Sequence, residues 1–296
     1  IRPFGSFEVR KRFNQLVDDF KPDIIHLNNI HSQLSPIIAS LGYRKKIPVV
    51  WTLHDYKLVC PAYLLMSEGR PCEACYKKKW SVVSKKCIKR NLMASLVAYF
   101  EARFWHPDKL TKIADLFISP SVFLKTKMIK GGFTEDKIVV LNNFVNSKNL
   151  TVDPGTKEEY YCYVGRLSPE KGVDLLLKAA AELPDYKLKI IGAGPLEHKL
   201  IAVGKNSNVE FLGYKTGKEL RTIISGSKFM IVPSNWFENN PLIILESLCL
   251  GTPVIGSDIG GIPELIKPGF NGILFTAENA DELRLKIKSI WEDHSS

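Results

Sequence analysis

From residue 160 onward the chain alternates short apolar runs with longer segments of helical period, and that alternation leaves few folds open. Residues 160–164, 187–191, 209–212, 229–232, 253–255 and 272–275 read as strands. Helical segments lie between them, near 173–183, 196–203, 217–225, 242–250 and 280–291. In the last of these, Leu283, Ile287, Ile290 and Trp291 share one face. Strands that alternate with helices of this length belong to a parallel sheet with crossover helices.

The first half keeps the same rhythm more loosely. Phe13, Leu16, Val17 and Phe20 stand at helical spacing within 7–20, and Pro22 ends that helix. A strand is expected over 23–27, a helix over 35–41, and a second strand over 48–53 that runs into His54-Asp55. A polar, cysteine-rich insertion fills 56–91 before a helix over 92–104 and strands over 115–119 and 138–141. Residues 142–157 have the Asn, Ser, Thr, Pro and Gly content of a linker. Two domains are therefore expected, 1–148 and 149–296. The first has fewer strands than a doubly wound domain needs and no glycine-rich loop after an opening strand, so it is expected to be incomplete at its N-terminus.

Composition narrows the class. Apolar residues make up 45% and charged residues 24% of the 296 residues, the balance of a globular chain. No uncharged apolar stretch reaches the roughly 18 residues of a membrane span. Charge is uneven: residues 1–150 carry 25 Lys and Arg against 12 Asp and Glu, a net +13, while 151–296 carry 16 against 19, a net −3. The segment 77–90 holds seven cations and no acid. A basic half implies an anionic partner: a phosphorylated acceptor, a lipid headgroup surface or nucleic acid. Cys60, Cys72, Cys75 and Cys87 cluster around one C-x-x-C and are candidate ligands of a structural zinc, or simply neighbouring thiols. Cys162 and Cys249 sit among apolar residues and are expected in the core.

Two segments carry chemistry. Gly165-Arg166-Leu167-Ser168-Pro169-Glu170-Lys171-Gly172 follows an expected strand, with Pro169 suited to a first helical turn and Ser168 to its cap. Arg166 offers a bidentate fork and Lys171 a point charge, a pair able to neutralise a diphosphate. In Glu238-Asn-Asn-Pro-Leu-Ile-Ile-Leu-Glu246, Pro241 opens a helix whose first amides, on Leu242 and Ile243, can meet a phosphate. Glu238 precedes that helix and faces the same cavity. Glu246 lies inside it among Ile243, Ile244, Leu245 and Leu248, where a carboxylate needs a partner such as a ribose diol. Gly192 and Gly194 close another strand, where backbone can approach a base or ribose, and Gly213-Tyr214 is a further candidate base contact.

Taken in order, Gly165-Arg166-Leu167 with Glu170-Lys171-Gly172, Ile191-Gly-Ala-Gly-Pro195, Val209-Glu-Phe-Leu-Gly213, Pro233-Ser234, and Glu238 and Glu246 running into Gly251-Thr-Pro-Val254 resemble retaining glycosyltransferases of family 4. The first half is similar through Pro22-Asp-Ile-Ile-His26 and Thr52-Leu-His54-Asp55. The resemblance implies an α/β GT-B fold of two facing Rossmann-like doubly wound domains. It also implies transfer of a sugar from a nucleoside-diphosphate sugar to a glycan or lipid-linked acceptor. That donor is a co-substrate, no metal or cofactor is needed for catalysis, and nucleic acid is not a partner. By the same resemblance Arg166 and Lys171 bind the diphosphate, Glu246 the ribose and Glu238 the sugar hydroxyls, while His54 lies near sugar and acceptor. Gly165 and Asn240 join the donor contacts, although Asn239-Asn240-Pro241 stands where the family usually has a glycine-containing turn. A cytoplasmic enzyme of cell-surface polysaccharide synthesis, peripheral at the inner membrane face, is the setting this implies.

Competing classes are poorer fits. A glycoside hydrolase or phosphorylase using Glu238 and Glu246 has no need of Arg166 and Lys171. A non-catalytic nucleic-acid or membrane-surface binder explains the charge alone. A dinucleotide oxidoreductase lacks its G-x-G-x-x-G and downstream acid.

Overall fold

The computed structural model describes residues 4–32, 34–150, 157–204 and 208–292. The chain divides into two compact units, 1–142 and 143–296. Part of the expected linker, 151–156, falls outside the described residues.

In the first unit, α1 (Phe7–Phe20) is opened by Ser6, whose Oγ accepts from the Val9 amide at 3.1 Å, and buries Phe13 and Val17. Lys21 closes it in the left-handed region, donating to the Val17 carbonyl, ahead of Pro22. Then come β1 (Ile25–Asn28), α2 (Ile37–Arg44) and β2 (Val49–Thr52). The insertion folds into a small hairpin, β3 (Met66–Ser67) with β4 (Arg70–Pro71), and two single turns, α3 (Ala74–Lys77) and α4 (Ser81–Ser84). The unit continues through α5 (Leu92–Phe104), α6 (Pro107–Ile113), β5 (Leu116–Ser119), α7 (Val122–Lys130) and β6 (Ile138–Val140). Its parallel sheet has the order β1-β2-β5-β6, each strand added on the same side of the last. Trp51 of β2 stacks on Phe117 of β5 at 6.0 Å between ring centres.

The second unit comprises β7 (Tyr161–Val164), α8 (Val173–Ala181), β8 (Leu188–Ile191), α9 (Glu197–Val203), β9 (Val209–Gly213), α10 (Gly217–Gly226), β10 (Met230–Val232), α11 (Leu242–Cys249), β11 (Val254–Ser257), β12 (Gly272–Phe275) and α12 (Ala280–Glu292). Its six-stranded sheet has the order β12-β11-β10-β7-β8-β9, all parallel. The chain builds outward from β7 through β8 to β9, then returns to the other side of β7 with β10. The strand order thus reverses between β7 and β10, and their carboxyl ends frame the crevice where open α/β sheets collect ligands.

Both faces of this sheet are covered. On one, Tyr161, Ile190 and Phe229 pack against Leu176, Leu177 and Ala180 of α8 and Leu283 and Ile287 of α12. Tyr161 stacks on Phe229 at 5.3 Å, and Trp291 on Tyr186 at 4.5 Å. On the other, Cys162, Met230 and Val254 meet Ile244 of α11 and Ile262. Buried Asn208 ties the α8–β8 connection to the mouth of β9. Its Nδ2 donates to the carbonyls of Ala180, Leu183 and Tyr186 at 3.0, 2.9 and 3.2 Å. Asn208→Ala leaves those acceptors without their donor and is expected to cost about 2 kcal/mol, read as a lowered urea midpoint at unchanged slope.

Three expectations are corrected. The segment at Pro169 is a single 3-10 turn, Pro169–Lys171, and the α-helix starts only at Val173, because Gly172 turns left-handed (φ 66°). Ser168 caps nothing; its Oγ donates to Glu170 Oε1 at 2.6 Å. Cys162 is buried as expected, but Cys249 is exposed, since α11 turns Ile244 and Ser247 inward and carries Cys249 round to the far side.

Candidate functional site

The site grows from the loops after β7 and β10. The β7 loop lies against the start of β10's loop so closely that a Cβ on Gly172 would stand 2.0 Å from the Pro233 carbonyl oxygen. The Asn235 amide donates to the Glu170 carbonyl at 3.1 Å, a second tie between the two loops. These contacts bring Lys171 to Glu238. Lys171 Nζ meets Glu238 Oε1 at 2.6 Å, and Ser234 Oγ donates to the same oxygen at 2.8 Å. Glu238 is 6% exposed. The Lys171 ammonium also faces the Trp236 ring, 5.5 Å from its centre. The Gly261 amide donates to the Glu238 carbonyl at 2.7 Å, so the turn after β11 holds the loop from behind.

The loops after β7, β8 and β9 line a cavity of about 520 Å³. Gly165, Arg166, Gly192 and Ala193 form one wall and Tyr214, Lys215, Thr216 and Leu220 the other. Arg166 is exposed at its rim. Gly192 (φ 139°) sits so near the Gly165 carbonyl that a Cβ there would be 1.9 Å from its oxygen, so the floor is bare backbone. Gly194 and Gly213 are not on the cavity wall. Gly194 is pressed on the Leu167 carbonyl, and the Gly213 carbonyl accepts from the Gly192 amide at 2.8 Å.

Helix α11 begins where the β10 loop ends. Leu242 and Ile243 hold its first positions, whose amides have no acceptor within a helix, and Pro241 contributes no side-chain cap. Glu246 is half-buried, and no described residue is recorded as bonding to its carboxylate. Burial alone raises its pKa above the ordinary carboxylate value. The loop has further unmet polar groups: Asn235 Oδ1, Trp236 Nε1 and both amide atoms of Asn240, which is 4% exposed, lack protein partners. Groups so placed are satisfied by water or by a polar ligand.

His54 belongs to the first unit, at the carboxyl end of β2. Its Nε2 is 2.8 Å from Asn28 Oδ1 at the end of β1, and partial desolvation lowers its pKa, so the ring is neutral at pH 7. His26 pairs in the same way with Thr52 Oγ1 at 2.7 Å.

Among the described residues no group of three or more His, Cys, Asp or Glu is placed to hold a metal ion. Cys60 and Cys75 instead form a thiol pair in which the hydrogen bond from Cys75 brings the Cys60 pKa down to about 6. Cys72 and Cys87 are less buried than that pair, and burial, followed by the neighbouring Cys60 and Cys72, raises the Cys87 pKa.

The sequence reading missed Ser234, Lys215 and Thr216. Ser234 is recognisable only from its bond to a glutamate four residues on. Lys215 and Thr216 follow a strand and precede a helix, the position at which a ligand-facing loop is expected.

A strand-order reversal with a glycine-floored cavity, a cation on its lining and an uncapped helix start is the kind of crevice in which doubly wound domains collect ligands. The comparisons assign it further. The family described as "Glycosyl transferases group 1" matches residues 148–296, and "Glycosyltransferase Family 4" matches residues 2–149. The chain belongs to this glycosyltransferase family. An uncharacterized 42.6 kDa protein in the cps region of Klebsiella pneumoniae is 28% identical over 88% of this chain and 64% of its own length. Sulfoquinovosyl transferase SQD2 of Arabidopsis thaliana is 24% identical over 98% of this chain and 54% of its own. The chain thus spans between half and two-thirds of the length of the first curated relatives it matches. Among solved structures, Anabaena Alr3699/HepE in complex with UDP superposes with a TM-score of 0.71 at 20% identity, covering 97% of this chain and 73% of that one. The fold is GT-B, built from two Rossmann-like domains with parallel sheets.

Proposed function

We propose that this chain binds a nucleoside-diphosphate sugar in its second unit and takes part in transferring that sugar, with retention of configuration, to a glycan or lipid-linked acceptor. The observation that carries this reading is the Lys171–Glu238 pair joined by the β7 and β10 loops at the strand-order reversal, with Arg166 of the same β7 loop lining the 520 Å³ cavity and Glu246 half-buried on the next helix. The base and ribose would lie over Gly192 and beside Tyr214, with Glu246 accepting from the ribose hydroxyls. Arg166, Lys171 and the amides of Leu242 and Ile243 would hold the diphosphate. Glu238 and Asn240 would meet the sugar. UDP and UDP-glucose are the ligands named for the Anabaena relative, which makes a uridine diphosphate donor the first to try.

In the reaction so proposed, the bond between the anomeric carbon and the diphosphate oxygen breaks as the acceptor oxygen bonds to the same face of that carbon. The acceptor proton passes to the departing diphosphate oxygen. Arg166, Lys171 and the helix amides stabilise the charge that develops on the leaving group, and two cations supply the neutralisation for which other enzymes recruit a metal. His54 is assigned to the sugar and acceptor side. The relatives from a cps region support a role in cell-surface polysaccharide synthesis. A hydrolase using Glu238 and Glu246 as acid and base is disfavoured, because one oxygen of Glu238 is already occupied by Lys171 and Ser234.

Glu246→Gln tests the ribose assignment. Its carboxyl holds a proton more tightly in the fold than in the unfolded chain, so its contribution favours folding at low pH and is lost as pH rises above the ordinary carboxylate value. At neutral pH the ionised group weakens the fold, and glutamine removes that burden. The variant is expected to melt at or slightly above the wild-type temperature while binding the nucleoside diphosphate roughly tenfold or more weakly. Calorimetry against UDP, GDP and ADP decides it; undiminished affinity for whichever one the wild type binds removes Glu246 from the site.

A further inference from the structure

The insertion between β2 and α5 keeps its shape with very little core. Its regular elements, β3, β4, α3 and α4, are strands of two residues and helices of four. Beneath them Cys75, Val82 and Val83 are buried, with Cys87, Ile88, Leu96 and Tyr99 packed against them. The backbone is strained as well. Tyr63, Leu65, Glu68, Lys86, Lys89 and Arg90 have φ between 46° and 57°, six of the eleven non-glycine residues with positive φ among those described. Leu65 adopts it while 1% exposed. Conformations of this kind persist where the surroundings over-determine them, and a segment with so few apolar contacts needs a further cross-link to do so.

Sulfur converges inside it. The Cys60 sulfur accepts from the backbone amides of Ala62 and Leu65 and from the Cys75 thiol. The β3–β4 hairpin then returns the chain to Leu65, whose carbonyl accepts from the Cys72 amide at 2.6 Å. Leu65 thus holds Cys60 through its amide and Cys72 through its carbonyl. Cys75 follows on the single turn α3, so the C-x-x-C brackets the start of that turn. After α4 the Cys87 amide donates to the Val82 carbonyl at 3.0 Å, and the Cys87 sulfur accepts from the Ser67 hydroxyl of β3. Half-buried Lys79 donates to the Val59 carbonyl at 2.7 Å and lies close enough to Cys60 and Cys75 to act on their charge. Amides on a sulfur and a cation beside it favour the thiolate, the form that ligates metal.

We propose that Cys60, Cys72, Cys75 and Cys87 together bind one zinc ion that cross-links the insertion. Four thiolates select a soft, tetrahedral metal over magnesium or calcium. As they stand, no three of the thiols are placed to hold an ion. Zinc therefore seats first on the hydrogen-bonded Cys60–Cys75 pair and draws in Cys72 from the end of the hairpin and Cys87 from beyond α4, each thiol releasing its proton. With every position filled by protein, the site is structural and leaves no opening for substrate. It belongs wholly to the first unit and does not depend on the function proposed for the second.

Elemental analysis of the protein purified from zinc-supplemented medium, with reductant and without chelator, tests the proposal. About one zinc per chain is expected, released as the pH falls because protons compete for the thiolates. Cys72→Ser and Cys87→Ser should each lose most of that zinc, while Cys249→Ser, an exposed thiol of the second unit, should keep it. Since a serine variant can unfold the insertion, the wild type carries a second readout. Cobalt added to the zinc-stripped protein should give the visible absorption of a tetrahedral thiolate site, and zinc should abolish it. Protein that carries no zinc and gives no cobalt spectrum overturns the proposal, as does an undiminished zinc content in Cys72→Ser or Cys87→Ser. A Cys60–Cys75 disulfide that survives purification in reductant would also overturn it, since the cross-link would then be covalent.

Discussion

Lys171→Ala is expected to lower sugar transfer by roughly two to three orders of magnitude, the usual loss when one donor to a developing anion is removed. The same change should destabilise the second unit by about 2 kcal/mol, because it strands the Glu238 carboxylate, 6% exposed, with Ser234 as its remaining partner. That figure is taken below the range for fully buried pairs because the lysine side chain is itself 26% exposed and partly screened. The two losses separate in a cycle. Lys171→Ala/Glu238→Gln removes the stranded charge and should recover most of the stability, while transfer stays as low as in the single variant. Melting curves and release of nucleoside diphosphate from the donor that binds the wild type give both readouts. A double variant no more stable than Lys171→Ala would mean that the two side chains do not depend on each other in the folded protein.

Gly172→Ala should be strongly disruptive. At φ 66° the residue lies where a side chain is strained, and the added carbon would stand 2.0 Å from the Pro233 carbonyl oxygen. Neither atom belongs to a flexible side chain, so the β7 and β10 loops must move apart. A cost of about 3 kcal/mol is expected, and with it a fall of roughly 10 °C in melting temperature for a unit of this size. Because the same two loops bring Lys171 to Glu238, nucleotide binding should fall with stability. Wild-type melting and affinity would show that the loops have slack that the contact distances deny.

The second unit was legible from its strands because each is short, apolar and set off by a glycine or proline turn. The helix over 92–104 and the strand over 272–275 were also read with the bounds observed. Helix α6 was missed because Pro107 reads as a break, although proline is well suited to the first position, where it stands. Helix α7 shows little periodicity, burying Leu124 and Met128 alone, and its signature is local: Ser121 Oγ accepts from the Leu124 amide at 3.0 Å. Cys249 was misplaced because apolar residues fall on all sides of α11, which hides the phase of the helix. At the site, the residue types were readable but their pairing was not. Lys171 and Glu238 are 67 residues apart, and only the strand-order reversal sets them side by side. The cysteine spacing showed a cluster but not that Cys60 and Cys75 are the two that hydrogen-bond within it.

The Lys171–Glu238 ion pair means that the lysine already carries its own counter-ion. A ligand does not enter a bare positive pocket; it must exchange places with Glu238 on Lys171. Inorganic phosphate or pyrophosphate could take the lysine, but it would return nothing to the displaced carboxylate, which needs hydrogen-bond donors. A ligand that offers an anion to Lys171 and hydroxyls to Glu238 satisfies both halves of the broken pair at once. On the function proposed, the cost of parting these two side chains would favour a sugar-bearing diphosphate over free phosphate.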